Sequence, residues 1–292
     1  MSSTPVWLID ASIYVFRPWF VRHQTAVDRD GQPIHAVLGF LRFLYTLLQQ
    51  EQPQHIALAF DTSRLTSVRK SIYPDYKAHR PAAPDELKYQ FQTCREFLRA
   101  LGLVEAASLQ YEADDIIGTW ARHYQAQGMP CRIISGDKDL AQLVAKDDLW
   151  WDYGKRAALP PGGIKREFGV WPAQIAEQLA IAGDAADNIP GVPGIGMATA
   201  AKLLQKFSTV EMLLSRIPEI GQMKTAGAKR LQGLIQQHQD TIRLARQLTE
   251  IHCNVPEIPL DIQRGNKDLP RLQELCERLQ LTAQQYQLWV GV

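Results

Sequence analysis

Nine acidic residues fall where the chain changes character. Asp10 ends the apolar run Val6-Trp7-Leu8-Ile9, and Asp61 ends Ile56-Ala57-Leu58-Ala59-Phe60. Asp137 follows Arg132-Ile133-Ile134 through Ser135-Gly136, with Asp139 two residues on. Glu112-Ala113-Asp114-Asp115 precedes the helix-spaced apolar set Ile116, Ile117, Trp120 and Ala121. Asp184 and Asp187 sit in Gly183-Asp184-Ala185-Ala186-Asp187-Asn188. One such acid has an ordinary explanation, because aspartate caps helices and favours turns, and acids suit a first helical turn. Three at the carboxyl ends of strands in one sheet would share an edge, where open α/β sheets bind ligands. Hard divalent cations prefer oxygen donors. Two such ions about 4 Å apart activate a water and stabilise the leaving oxygen of a phosphate ester. Without metal, so many anions repel one another and some pKa values must rise.

The segment after Asp61 is basic, with Arg64, Arg69, Lys70, Lys77, His79 and Arg80, and with Tyr73 and Tyr76 interleaved. Cations there would neutralise phosphates, and a tyrosine would stack on a base. Phe16 and Arg17, soon after Asp10, form a similar pair. The turn Gly191-Val192-Pro193-Gly194-Ile195-Gly196 opens a helix that carries Lys202 and Lys206. Such a turn presents backbone N–H groups to a phosphate, and two helices around it would grip a nucleic-acid backbone without reading bases. His35, Trp150 and Trp151 read as structural. Lys224, Lys229 and Arg230 read as ordinary charged positions.

The apolar runs at 6–9, 56–60 and 132–134 have the length and boundaries of buried strands. Between them, Val37, Leu38, Phe40, Leu41, Phe43 and Leu44, and then Phe91, Cys94, Phe97, Leu98 and Leu101, recur with helical spacing. Strands alternating with helices predict an α/β fold with a mostly parallel sheet covered by helices. After about Phe168 the pattern predicts helices near 173–182, 197–206, 209–216, 226–248 and 270–280. Proline and glycine at 160–163 punctuate the boundary. The expected division is an α/β core over 1–168 and an all-helical module over 169–292.

The chain of 292 residues suits one or two domains. With 46% hydrophobic and 22% charged residues it can bury a sizeable core. A net charge of +1 leaves no global field for a polyanion, so nucleic acid would need local basic patches. Cys94, Cys131, Cys253 and Cys276 form no CxxC pair, which excludes the common zinc and redox motifs. No leader-like start and no apolar run of membrane-spanning length are present. The expectation is a cytoplasmic protein without a membrane partner, and nothing suggests an oligomer.

Taken in order, these segments resemble the flap endonuclease family, most closely the bacterial 5′-nuclease domain found at the front of DNA polymerase I and in stand-alone relatives. The similarity runs from about Val6 to about Leu260. It is carried by Leu8-Ile9-Asp10, Ala59-Phe60-Asp61, Tyr76-Lys77-x-x-Arg80-Pro81, Glu112-Ala113-Asp114-Asp115, Gly136-Asp137-Lys138-Asp139 and Gly183-Asp184-x-x-Asp187-Asn188-Ile189-Pro190-Gly191-Val192-x-Gly194-Ile195-Gly196. The resemblance implies a PIN-like nuclease core with a helical arch at about 64–100. It also implies a helix-hairpin-helix-type motif at 191–196 in the helical module. By resemblance, Asp10, Asp61, Glu112 and Asp114 surround a first magnesium or manganese ion. Asp137, Asp139 and Asp187 surround a second, with Asp115 and Asp184 in support. Lys77 and Arg80 then act at the scissile phosphate, and Asp114 counts with them among the catalytic residues. Phe16, Arg17, Arg69, Tyr76, Gly191, Gly194, Gly196 and Lys202 contact DNA, and a potassium ion is implied at the hairpin. All nine family carboxylates are present. Ala11 departs from the glycine common after the first aspartate, a tolerable change.

The expected activity is therefore two-metal hydrolysis of DNA at 5′ ends, flaps and branches, as exonuclease and flap endonuclease, leaving 5′-phosphates. The alternatives are a binder of branched DNA that does not cut, and a ribonuclease with a related acidic core. The sequence suits either a stand-alone nuclease or a domain excised from a polymerase.

Overall fold

The computed structural model describes residues 4–21, 26–62 and 67–292. The contacts gather into two compact units, Met1–Thr62 with Ala82–Gly136 and Cys253–Val292, and Ser63–Pro81 with Asp137–His252. Helices and strands are numbered along the chain across both. Among the described residues, no helix is long and apolar enough to cross a membrane.

The first unit is built on parallel strands β1 (Val6–Asp10), β2 (His55–Phe60), β3 (Val104–Ala107) and β4 (Cys131–Ile134), ordered β3-β2-β1-β4. β1 pairs Asp10 with Ala59 of β2, and Ile9 with Ile134 of β4. β1 is buried throughout, as a parallel strand covered on both faces must be. β3 escaped the sequence reading because Val104-Glu105-Ala106-Ala107 offers little apolar bulk; the carboxylate of Glu105 pairs with Arg95 and Arg99.

Helices α1 (Ala11–Trp19), α2 (His35–Glu51), α4 (Asp85–Ala100), α5 (Ala113–Gln125), α12 (Leu269–Arg278) and α13 (Ala283–Gly291) complete this unit. Residues 85–100 were expected to form part of an arch. Instead α4 buries Leu87, Cys94, Phe97 and Leu98 as a core helix. Its buried Gln90 accepts hydrogen bonds from the N–H groups of Ala36 and Val37 at 2.7 and 3.3 Å, so it satisfies orphan donors at the start of α2.

Residues 253–292 pack with the sheet unit rather than with the helices that precede them, so the compact units do not follow a single cut at 168/169. The reason lies on α5. The buried Trp120 donates its Nε1–H to Pro259 O at 2.7 Å, Tyr124 donates to Leu260 O at 2.8 Å, and Thr119 accepts from Val255 N at 3.0 Å. Trp289 of α13 then packs edge-on against Phe97 at 5.0 Å.

The second unit contains α3 (Val68–Ile72), α6 (Pro161–Phe168), α7 (Ile175–Ala182), α8 (Met197–Phe207), α9 (Val210–Ser215), α10 (Ala228–Gln237), α11 (Gln239–Thr249) and the short β5 (Leu149–Trp151). The punctuating Pro161 begins α6, where its fixed φ suits the first helical position. The helix expected over 226–248 is two helices joined at His238. Ala228, Ile235 and Ile242 keep a seven-residue spacing across the joint, which is why the pattern reads as one helix. α10 packs on the 3₁₀ turn Ile217–Gln222 and α11 on α7, and the break lets each bury its own face.

Replacing Trp120 by alanine is expected to lower unfolding free energy by about 3–5 kcal/mol, from a cavity and an unsatisfied Pro259 carbonyl. Urea unfolding followed by circular dichroism would reveal the drop in midpoint.

Candidate metal and nucleic-acid site

Each unit carries its own set of acids. In the first, adjacent strands end in Asp10 and lead into Asp61. Asp10 is 6% exposed and caps α1. One of its oxygens accepts from Ile13 N at 3.4 Å, and the other from the Ser135 hydroxyl at 2.8 Å. Asp61 is fixed at both ends: its N–H donates to Ser12 Oγ at 2.8 Å, and its Oδ1 accepts from Ala113 N at 3.0 Å. That last bond ties Asp61 to the start of α5, beside Glu112 and the partly exposed Asp114. Asp115 is fully buried and its Oδ2 accepts from Glu112 N at 3.0 Å. Its carboxylate thus closes a capping box and braces the helix start.

In the second unit, Asp137 caps a 3₁₀ turn and accepts from Asp139 N at 3.0 Å. Asp184 and Asp187 lie on a loop that folds back on itself. Asp184 and Ile189 exchange backbone hydrogen bonds at 3.0 and 2.8 Å, and Val192 N donates to Ile181 O at 2.9 Å. The return is so close that a Cβ on Gly191 would stand 2.2 Å from the Ala182 carbonyl carbon, so only glycine fits there.

Cations answer these charges. The Lys138 ammonium lies 2.6 Å from Asp184 and 3.2 Å from Asp139. Burial alone would lower its pKa, but Asp139, Asp184 and Asp137 outweigh that and hold it above the usual lysine range. Asp187 receives the Tyr76 hydroxyl at 3.1 Å, the Lys77 ammonium at 3.3 Å and the Arg80 guanidinium. Asp139 remains the unsettled member. Burial first, then Asp137, Asp184 and Asp187, push its carboxyl up to about 7 against the opposing pull of Lys138. Its buried Oδ1 has no hydrogen-bond partner, since Lys138 sits in ion-pair range without hydrogen-bond geometry.

Among the described residues, no three acidic, histidine or cysteine side chains are disposed as they stand to hold an ion. The donor set nevertheless fits one: every donor is a carboxylate oxygen, the second set is crowded, and a buried oxygen of Asp139 lacks a donor.

The glycine turn has Gly194 at φ +81°, and Gly196 caps the 11-residue α8. Lys202 is exposed on that helix. The Arg230 guanidinium comes within 3.3 Å of where a Gly194 Cβ would be. Nothing in its charged helical surroundings marked Arg230 in the sequence, and Lys138 was likewise passed over inside its motif.

Two expected DNA contacts need correction. Arg69 is 4% exposed and donates to Leu248 O at 2.9 Å and Glu250 O at 2.7 Å, so it caps the end of α11. Tyr76 is 2% exposed, so its ring is not offered to a base. Phe16 is half-buried and packs edge-on against Phe91 at 5.2 Å, while Arg17 lies over the Tyr14 ring at 4.8 Å. Phe20, 74% exposed at the end of α1, is the more accessible aromatic, and within Trp19-Phe20-Val21 it reads in the sequence as apolar bulk. Arg64 lies outside the described residues.

The parallel α/β unit and the helical unit with its glycine turn define the class of resolvase-like nucleases joined to a small helical fold. Residues 5–169 match the family model of the 5′-3′ exonuclease N-terminal resolvase-like domain, and residues 170–270 match that of the 5′-3′ exonuclease C-terminal SAM fold. The chain belongs to the 5′-3′ exonuclease family and is a nuclease. It is 33% identical over 279 residues to the 5′-3′ exonuclease of Aquifex aeolicus, covering 94% of this chain and 91% of that protein. It is 38% identical over 264 residues to DNA polymerase I of Rhizobium leguminosarum, covering 88% of this chain but only 25% of the polymerase. The chain thus spans about a quarter of the length of that relative. Among solved structures it shares its fold with T5 5′-exonuclease carrying divalent zinc ions (TM-score 0.69, 14% identity, 99% of both chains). It also shares the fold of the Rad2 catalytic core in complex with DNA substrate (TM-score 0.65, 13% identity, 99% of this chain and 92% of that one).

Asp139 titrates near 7 in the fold and near 3.8 in the unfolded chain, so the fold favours the protonated form. Metal-free stability should therefore fall as pH rises between those two values. Asp139→Asn should flatten that fall, and magnesium should oppose it. Thermal melts in chelator, across the acidic-to-neutral range, would show whether the slope belongs to this residue.

Proposed function

We propose that the chain is a divalent-metal-dependent 5′ nuclease that hydrolyses DNA at 5′ ends, flaps and branches and leaves 5′-phosphates. The observation that carries this reading is the second acid set. There burial, and then the neighbouring carboxylates, push the Asp139 carboxyl up to about 7, and one buried oxygen of it lacks a hydrogen-bond donor, in the same unit as the Lys77 and Arg80 cations and the glycine turn. A buried carboxylate cluster with that much self-repulsion is relieved by a hard cation.

In this reading Asp10, Asp61, Glu112 and Asp114 hold one ion, and Asp137, Asp139 and Asp187 hold another. Asp115 braces the first set through its capping box, and Asp184 supports the second. Magnesium or manganese supplies Lewis acidity and lowers the pKa of a water. Lys77 and Arg80 bind the phosphate whose charge grows in the transition state. Gly191, Gly194, Gly196 and Lys202 hold the duplex backbone, with a potassium ion at the turn. Phe16 and Arg17 approach the strand near the first set. Residues 5–169, which match the resolvase-like model, carry the nuclease chemistry, and residues 170–270, which match the SAM-fold model, grip DNA. The metal-bearing T5 structure and the DNA-bound Rad2 structure support both halves of this reading.

A 5′-labelled flap DNA and its RNA counterpart, incubated with magnesium and then with chelator, test it. Magnesium-dependent release of a 5′-phosphorylated DNA product is expected, with little cutting of RNA. An intact, bound flap would mean a binding protein, and preferred cutting of RNA a ribonuclease. Lys77→Ala should slow DNA cleavage by roughly 10²–10³-fold, and Asp139→Asn should nearly abolish it.

A further inference from the structure

The cations assigned to the phosphate are not waiting in open solvent. Both oxygens of Asp187 are taken: Oδ1 by the Arg80 guanidinium, and Oδ2 by Lys77 Nζ at 3.3 Å and the Tyr76 hydroxyl at 3.1 Å. The Lys77 and Asp187 side chains are only 12% and 15% exposed. Further contacts, one of them between main-chain groups, join the two segments without using that carboxylate. Lys77 N donates to Asp187 O at 2.9 Å, Arg80 donates to Ala186 O at 3.1 and 2.8 Å, and Asn188 Nδ2 donates to Asp75 O at 2.7 Å. Lys77 itself sits at φ +52°, a left-handed conformation rarely adopted by lysine.

We propose that Asp187 exchanges partners: without metal its carboxylate holds Lys77 and Arg80, and a divalent cation that takes the carboxylate releases both side chains to a phosphate. The inference rests on the reading of Asp187 as a metal ligand. Its physical basis is charge. A divalent ion on Asp187 would face two like charges within a few ångströms, and at about 4 Å that repulsion exceeds thermal energy roughly three-fold even in water. A phosphodiester oxygen is the anion that accepts both displaced groups, and arginine binds it through two parallel N–H bonds. Lys77 N on Asp187 O and the Asn188 amide on Asp75 O keep the turn close while the Lys77 and Arg80 side chains change partner, with the Arg80 guanidinium also giving up Ala186 O. Asp187 is thereby a positioning residue for Lys77 and Arg80 as well as a metal ligand, and metal occupancy comes before phosphate capture.

The exchange makes a prediction of opposite sign from simple loss of a ligand. In chelator, where no metal is bound, Asp187→Asn should bind 5′-phosphorylated flap DNA about ten-fold more tightly than the unaltered protein at fixed salt. Fluorescence anisotropy reads this without any cleavage. The gain should vanish when Asp187→Asn is made on top of Lys77→Ala and Arg80→Ala, as a double-mutant cycle requires of coupled groups. No gain, or a gain that persists without the two cations, would overturn the exchange. Should Asp187→Asn fail to fold, the unaltered protein still decides. Acylation of Lys77 by an amine-reactive probe, followed by mass spectrometry, should rise when magnesium is added, and an unchanged rate would reject the idea. Magnesium-dependent cleavage by the unaltered protein separately tests the metal reading, so the two failures are distinguishable.

Discussion

Carboxylates gathered in a poorly hydrated place repel one another, and every local feature of the two acid sets answers that repulsion. In the first unit the answer is dipolar. Asp10 and Asp61 accept backbone N–H groups at the starts of α1 and α5, Asp10 also accepts a serine hydroxyl, and Asp115 spends its charge inside a capping box. These donors are fixed by parallel strands that end in line and helices that begin there, so the charge is stabilised by the same groups that build the fold. In the second unit the answer is ionic, through Lys138, Lys77 and Arg80. Asp139 is left over: burial first, and then its carboxylate neighbours, raise its pKa against the pull of Lys138.

The difference matters for chemistry. Helix N–H groups belong to the backbone and cannot change partner by a side-chain rotation. Lysine and arginine side chains can swing away while their backbones stay in place. The second set can therefore trade its own counter-ions for others, and the loop beneath it is built to withstand the trade. Gly183 and Gly191 approach so closely that neither tolerates a side chain, and the paired backbone bonds of Asp184 and Ile189 fix the loop without help from the carboxylates.

Burial also explains the residues whose expected roles changed. Arg69 has the right charge and neighbourhood for a phosphate, yet its guanidinium satisfies the last carbonyls of α11. Tyr76 has the right ring for a base, yet its hydroxyl is needed at Asp187. The α4 helix carries an apolar stripe that suits packing, and packing is what it does. In each case the residue type was compatible with two environments, and only the neighbours choose between them.

The acids were legible because their chemistry is local: a strand that stops at an aspartate, or a helix that starts with acids, is written in consecutive residues. The strands β1, β2 and β4 and the helices α2, α7 and α8 were legible for the same reason, since periodicity is a property of short windows. β3 was not, because two alanines and a valine carry too little bulk to signal burial, and α10 and α11 read as one because their apolar spacing runs unbroken through His238. What tertiary structure alone decided were the relations between distant segments: Trp120 drawing residues 253–262 back to α5, Lys138 set among acids from two loops, and the 75–80 turn seated on Asp187. Those relations depend on through-space charge and packing between residues far apart in the chain, and no window of sequence contains them.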